Sequence, residues 1–202
     1  MTSDMTITCV PGTQFTNAKL NANGATIIGA TFSDTPQSNT VNGIYKDCVF
    51  TGTNGLRYGY AGETVVFENC VFSGSTYGAH FDGGANDVVF KECVFSGFNT
   101  FGGQITKLTL DGCTFVANGK GNYNGVNLWG NTEMKDCEFI FDGSVDYEWV
   151  DTGDKTNGIN VTFTNCFVND GTTKKGMETI VGDYGTNNTI TINGKVYDLK
   201  AE

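Results

Sequence analysis

Short blocks of alternating apolar and polar residues recur along this chain. Residues 67–74 read FENCVFSG, and residues 90–97 repeat the block as FKECVFSG. Two weaker blocks carry Ala30 or Lys195 in place of the cysteine. Six blocks centre on a cysteine, at intervals of 20 to 29 residues: Cys48, Cys70, Cys93, Cys113, Cys137 and Cys166. A repeat of this length is typical of a solenoid.

Each block predicts two short β-strands separated by a corner. Around Cys70, the apolar positions are Val65, Phe67 and Phe72, which alternate with period two on either side of a bend. The residue before the cysteine is mostly of a type that tolerates left-handed backbone or bonds its own main chain in turns. These corner residues are Gly29, Asp47, Asn69, Glu92, Gly112, Asp136, Asn165 and Gly194.

Stacking of such blocks in register would produce parallel sheets, with strands about 4.8 Å apart. The sequence therefore predicts a single all-β domain over residues 1–202, with about eight rungs in residues 22–198 and a cap in residues 1–21. Two stretches are helix candidates: Gln14 to Ala22, which would cap the first rung, and Lys174 to Val181. The 28 glycines and only 2 prolines agree with a coil of many corners.

The rungs, the inward ladders of like residues and the turn asparagines resemble the right-handed parallel β-helix, or pectin-lyase-like, superfamily over about residues 22–198. The resemblance implies a right-handed coil, as does the crossover rule for parallel strands. It implies little about function, because one fold hosts many activities. Members that cleave pectate use a calcium-binding acidic cluster beside a basic residue, usually arginine, and Arg57 has no such cluster near it in sequence. The aspartate signatures of the hydrolases are missing too, and His80 precedes Phe81, where they have glycine.

The cysteines are expected to be reduced packing residues. No pair forms Cys-x-x-Cys and His80 is the only histidine, so the sequence lacks the closely spaced soft ligands of a zinc site. Six cysteines at one phase of the repeat instead predict an inward ladder, where a free thiol packs as a small hydrophobe. Parallel Cβ vectors in such a ladder suit a disulfide poorly.

The net charge of −10, with a single arginine, disfavours nucleic acid and anionic polysaccharide as partners. The sequence has no transmembrane stretch, and its first residues lack the pattern of a signal peptide. The compartment stays open, although the resemblance favours an extracellular, cell-surface or virion protein.

Residues 133–154 form an acidic segment with three interpretations. It is a solvated edge, a Ca²⁺ site, or the source of a catalytic carboxylate pair, for which Asp142 and Asp146 are the candidates. A Ca²⁺ site is the one cofactor that the sequence suggests, and its ligands would be Asp142, Asp146, Glu148, Asp151 and Asp154.

A second candidate surface lies on the stretch that precedes each block. If these stretches form a third sheet, alternate residues face outward and combine aromatic rings with hydrogen-bonding groups, as in a sugar-binding groove. The residues are Arg57, Tyr58, Tyr77, His80, Asn127 and Trp129. The competing interpretation is that most of these rings point into the core.

A third candidate surface is an apolar stripe at positions that should face outward. Its residues are Ile44, Val49, Val66, Val71, Val89 and Val94. Exposed apolar patches mark contacts with other chains, so the stripe predicts a protein interface, including one between copies of this chain. Alternatively, residues 1–20 cover it, or the strands are valine-rich because parallel sheets favour β-branched residues.

These features favour a non-catalytic binding or structural module, adhesin-like or phage-fibre-like, that contacts carbohydrate or protein. The alternative is a carbohydrate-active enzyme, a polysaccharide lyase or glycoside hydrolase, that uses the acidic loop 133–154. Ice binding is a third hypothesis, but it requires regular outward Thr-x-Thr rows, and the outward threonines are scattered.

Overall fold

The structure, a computed structural model, is all-β and consists mainly of three long parallel sheets. It describes residues 4–36, 39–60, 64–83, 87–102, 105–117, 125–140, 149–152, 158–183 and 187–197. The chain visits the three sheets in turn, so the architecture is solenoid-like, as the repeat predicts. In the described part of the chain, no helix is long and apolar enough to cross a membrane.

Sheets 1 and 2 hold the two strands of each repeated block. Sheet 1 contains β1 (Thr6–Thr8), β3 (Thr26–Ile28), β6 (Gly43–Lys46), β9 (Val65–Glu68), β12 (Asp87–Lys91), β15 (Lys107–Asp111), β18 (Thr132–Lys135), β21 (Asn160–Thr164), β25 (Thr189–Ile192) and β26 (Lys195–Tyr197). Sheet 2 contains β2 (Gln14–Thr16), β4 (Thr31–Ser33), β7 (Val49–Thr51), β10 (Val71–Phe72), β13 (Val94–Ser96), β16 (Thr114–Val116), β19 (Glu138–Ile140), β22 (Phe167–Asn169) and β23 (Lys174–Lys175).

Sheet 3 is built from the stretches between blocks. Its strands are β5 (Asn39–Thr40), β8 (Asn54–Tyr60), β11 (Tyr77–Gly83), β14 (Phe98–Phe101), β17 (Gly125–Leu128), β20 (Val150–Thr152) and β24 (Val181–Asp183). All of its strand pairs are parallel.

The corners between sheets 1 and 2 have the predicted backbone. Seven of the predicted corner residues have left-handed φ values, from 51° to 74°: Gly29, Asp47, Asn69, Glu92, Gly112, Asp136 and Asn165. Gly194 also has a positive φ, but it lies in a hairpin rather than a corner, because β26 folds back antiparallel on β25. Asn193 and Gly194 both have positive φ, which is the geometry of a tight hairpin turn.

Stacked rings fill the interior between the sheets. Seven phenylalanines on successive strands of sheet 2 form one continuous stack with centroids 4.7 to 5.4 Å apart: Phe15, Phe32, Phe50, Phe72, Phe95, Phe115 and Phe139. A second stack on sheet 1 runs through Tyr45, Phe67 and Phe90 and meets the first edge-on. Burial raises the pKa of Tyr45, because the phenolate would lose its hydration there.

The six repeated cysteines are buried and unpaired, which confirms the predicted ladder. Each donates its S–H to the carbonyl oxygen two residues before it, over 3.2 to 3.7 Å. Hydrogen bonding with Cys70 and then burial raise the pKa of Cys48, so its thiol stays protonated at neutral pH.

The two predicted helices were wrong. Residues Gln14–Thr16 form β2, because the Phe15 ring stacks on Phe32 as the two residues pair in register. The Lys174 to Val181 stretch contains strand β23, antiparallel to β22, and a single 3-10 turn at Met177–Thr179. Burial of Met177 anchors that turn to the core.

Candidate functional site

Four polar side chains form one row across the outer face of sheet 3. His80 pairs in register with Thr100, Thr100 with Asn127, and Asn127 with Asp151, on four neighbouring strands. All four are partly exposed, whereas the residues that flank them along each strand are buried. At about 4.8 Å between strands, this polar row is about 14 Å long.

Aromatic side chains border the His80 end of the polar row. The Tyr77 ring lies 4.9 Å from the His80 imidazole and 5.6 Å from the Phe98 ring, measured between centroids. Tyr77 and Phe98 pair in register and are partly exposed. Their ring surfaces therefore lie on the same outer face as the polar row.

Trp129 supplies a third ring, just beyond the end of β17. Its backbone N–H donates to the carbonyl oxygen of Phe101 over 3.0 Å, which holds its main chain beside β14. The side chain is 45% exposed, an unusual state for tryptophan in a folded domain.

A bulge in β11 places Tyr77 and His80 on the same face. Three steps along a regular strand would put them on opposite faces, but the register with β14 shifts between them. Buried Asn99 stabilises the bulge: its Oδ1 accepts the N–H of Ala79 over 2.9 Å, and its amide donates to the Gly97 carbonyl over 3.0 Å. A Cβ on Gly78 would lie 2.6 Å from that Oδ1, so only glycine fits there.

Several predicted site residues lie outside the described part of the structure. The backbone of Arg57 and Tyr58 runs in β8, but their side chains lie outside the described part of the structure. Asp142, Asp146, Glu148 and Asp154 also lie outside the described residues. Among those that are described, no group of three or more His, Cys, Asp or Glu residues could hold a metal ion.

The polar row also contains residues that the sequence did not assign to it. Thr100 lies 13 residues before Cys113, the same spacing as His80 before Cys93, so a stricter alignment of the third strands would have found it. Asp151 was predicted as a calcium ligand, and the structure places it next to Asn127.

The apolar stripe consists of two rows on either side of the corner. Ile44, Val66 and Val89 stack in register on the outer face of sheet 1. Val49, Val71 and Val94 stack likewise on sheet 2, and Val94 is 37% exposed. Residues 6–8 and 14–16 extend the two sheets as terminal strands, so they do not cover the stripe.

A charged row separates the two apolar rows. Lys46, Glu68, Lys91, Asp111 and Lys135 follow one another in register along sheet 1. The Lys46 Nζ lies 2.6 Å from a carboxylate oxygen of Glu68, and the Lys91 Nζ lies 3.7 Å from the other. The hydrogen bond from Lys46 lowers the pKa of Glu68. The first four residues of this row and the adjacent corner residues line a groove of about 570 Å³. Those corner residues are Asp47, Asn69, Glu92, Gly112 and Asp136.

Comparison of the chain with protein families, curated proteins and solved structures finds no match.

Proposed function

We propose that this chain is a non-catalytic, right-handed parallel β-helix module that binds carbohydrate through the outer face of sheet 3. The observation that carries the proposal is the polar row His80–Thr100–Asn127–Asp151, which lies in register beside three partly exposed rings. A rigid module of this kind fits an adhesin-like or phage-fibre-like role.

The chemistry of the face matches a sugar. Apolar C–H faces of pyranose rings pack against aromatic rings, and hydroxyl groups bond with imidazole, amide and carboxylate groups. Strands hold these groups at a fixed spacing, so little entropy is lost when they bind an extended chain. The net charge of −10 favours a neutral glycan over an anionic one.

A glycan array probed with the full chain tests the proposal, followed by calorimetry on each hit. Trp129→Ala and Asn127→Ala should each weaken binding at least about tenfold, since each removes a contact group without touching the core. Thr162→Ala is the matched control, because Thr162 faces outward on β21 of sheet 1. Absence of any hit, or equal loss in the control, would refute the proposal.

The alternative function is a polysaccharide lyase or glycoside hydrolase that uses the acidic segment 133–154. The glycans that bind in the array also decide between the binding module and the enzyme, because an enzyme would release reducing ends or unsaturated products from them. Binding without product excludes the enzyme for that glycan. If the wild type forms product and Asp142→Asn or Asp146→Asn does not, the enzyme replaces the binding module as the proposed function.

A further inference from the structure

The outer face of sheet 1 combines an apolar row with the charged row beside it. Val66 and Val89 are partly exposed on neighbouring strands, and the next outward positions toward the corner are Glu68 and Lys91. The side chains of Lys46, Glu68 and Lys91 are 41%, 31% and 52% exposed. This face is therefore accessible to a partner at both rows.

The signs of the charged row alternate strictly along all five of its members. Lys46, Glu68, Lys91, Asp111 and Lys135 occupy β6, β9, β12, β15 and β18 in turn, and their charges sum to +1. The chain as a whole carries −10, so two copies repel each other over most of their surfaces. The alternating row carries no net negative charge, so it is where two copies of this acidic chain can approach.

An alternating row is complementary to itself under a two-fold axis. If the axis runs parallel to the strands, midway between β9 and β12, Glu68 faces Lys91 of the second copy and Lys46 faces Asp111 of the second copy. The same operation packs Val66 on Val89 of the second copy. An axis placed on either strand would instead oppose like charges, which is costly at an interface. The alternation thus excludes an axis on a strand and allows one between strands. Among these, the axis between β9 and β12 forms both charge pairs and also brings the valines together.

We propose that two copies of this chain associate through the outer face of sheet 1, as an antiparallel, face-to-face dimer about that two-fold axis. Such an isologous contact uses one self-complementary patch on both copies. The two sheets would pack about 10 Å apart. The proposal is independent of carbohydrate binding, which uses sheet 3.

Sedimentation equilibrium of the full chain gives the first test. A dimer is expected at low salt, and it should weaken as NaCl rises toward about 1 M, because salt screens its ion pairs. A wild-type chain that stays monomeric at all concentrations and salts overturns the proposal, and another occupant of the face would then have to be sought.

Charge reversal gives the decisive test. Glu68→Lys and Lys91→Glu should each weaken the dimer at least about tenfold, because each places two pairs of like charges across the axis. An equimolar mixture of the two variants should form a heterodimer with wild-type affinity, since every cross-axis pair is then opposite in sign. Lys19→Glu, at an exposed position between β2 and β3, makes the same charge change and should leave the dimer intact.

Circular dichroism checks that each variant is folded, because Glu68 also pairs within its own chain. If Glu68→Lys does not fold, Lys46→Glu mixed with Asp111→Lys tests the same axis. A dimer that persists in the single variants overturns the proposal. So does a failure of the mixture to regain wild-type affinity, because Glu68 and Lys91 would then not face each other across the axis.

Discussion

The sulfur of Cys93 lies 3.5 Å from the carbonyl oxygen of Phe67, so its single S–H is shared between this oxygen and the carbonyl oxygen of Lys91. Phe67 lies one turn of the coil earlier, three residues before the preceding cysteine. The same relationship joins Cys70 to Tyr45 and Cys113 to Phe90. Five of the six ladder thiols, from Cys48 to Cys137, make this contact, so they link successive turns as well as filling space.

Cys93→Ala should lower the free energy of unfolding by about 1–3 kcal/mol, because it leaves a small cavity and removes the donor shared by the buried Phe67 carbonyl and the partly buried Lys91 carbonyl. Cys9→Ala is the control. Cys9 lies partly exposed at the end of β1, so its replacement should cost less than about 0.5 kcal/mol. Urea denaturation measures both, and equal losses would contradict a bonding role for the ladder.

Thiol labelling should separate Cys9 from the other six cysteines. Those six are buried, so one thiol per chain should react with an aromatic disulfide reagent in the native state and seven in denaturant. Burial and then the nearby Cys48 thiol raise the pKa of Cys9, so its reaction should be slow at neutral pH and faster at pH 9. Rapid labelling of several native thiols would contradict the closed core.

Glu92→Asn should stabilise the protein by about 1 kcal/mol. Glu92 holds a corner at φ 52°, where a side chain other than Gly, Asn or Asp is strained. Neighbouring turns place Asn69 and Gly112 at the same position. Glu133→Asn, at an exposed strand position, should give no gain. Thermal unfolding of the two variants makes the comparison, and equal shifts would remove backbone strain as the cause.

The periodic part of this fold could be predicted from the sequence because every turn of the coil places the same residue types at the same positions. The corners at Asp47 and Asn69 and the thiol ladder follow from residue type at a fixed phase. The repeat led to a wrong prediction at Asn193–Gly194. Gly194 was predicted as a corner because of its similarity to the repeat, although Asn-Gly is also a hairpin signal, and β26 folds back on β25. The orientation of His80 depends on the bulge in β11, which the buried amide of Asn99 stabilises. A single bulge gives no periodic signal in the sequence, so it could not be predicted.

Phe95→Ala should cost about 3–5 kcal/mol, because the ring is buried in the middle of the phenylalanine stack. Phe15→Ala tests the end of the same stack. Phe15 is 41% exposed and has a stacked ring on one side only, so its loss should cost about 1 kcal/mol or less. Denaturant titration should show a larger loss of unfolding free energy for Phe95→Ala than for Phe15→Ala. Similar losses would mean that a ring stacked on both sides contributes no more than a ring at the end of the stack.

The side chain of Asp170 should stabilise the fold at neutral pH and lose this effect in acid. Its carboxylate pairs with Lys175 over 2.7 Å and accepts bonds from the Thr172 and Thr173 backbone, and these contacts lower its pKa. A carboxyl whose pKa is lower in the folded state stabilises above its unfolded pKa, near 3.8, and the contribution fades as pH falls through the folded value. Asp170→Asn should therefore lower the melting temperature at pH 7, with a difference from wild type that shrinks steadily below pH 4. Scans from pH 7 to pH 2 test this, with Asp4→Asn as the control, and a difference that stays constant down to pH 2 would exclude the ionised carboxylate as the stabilising group.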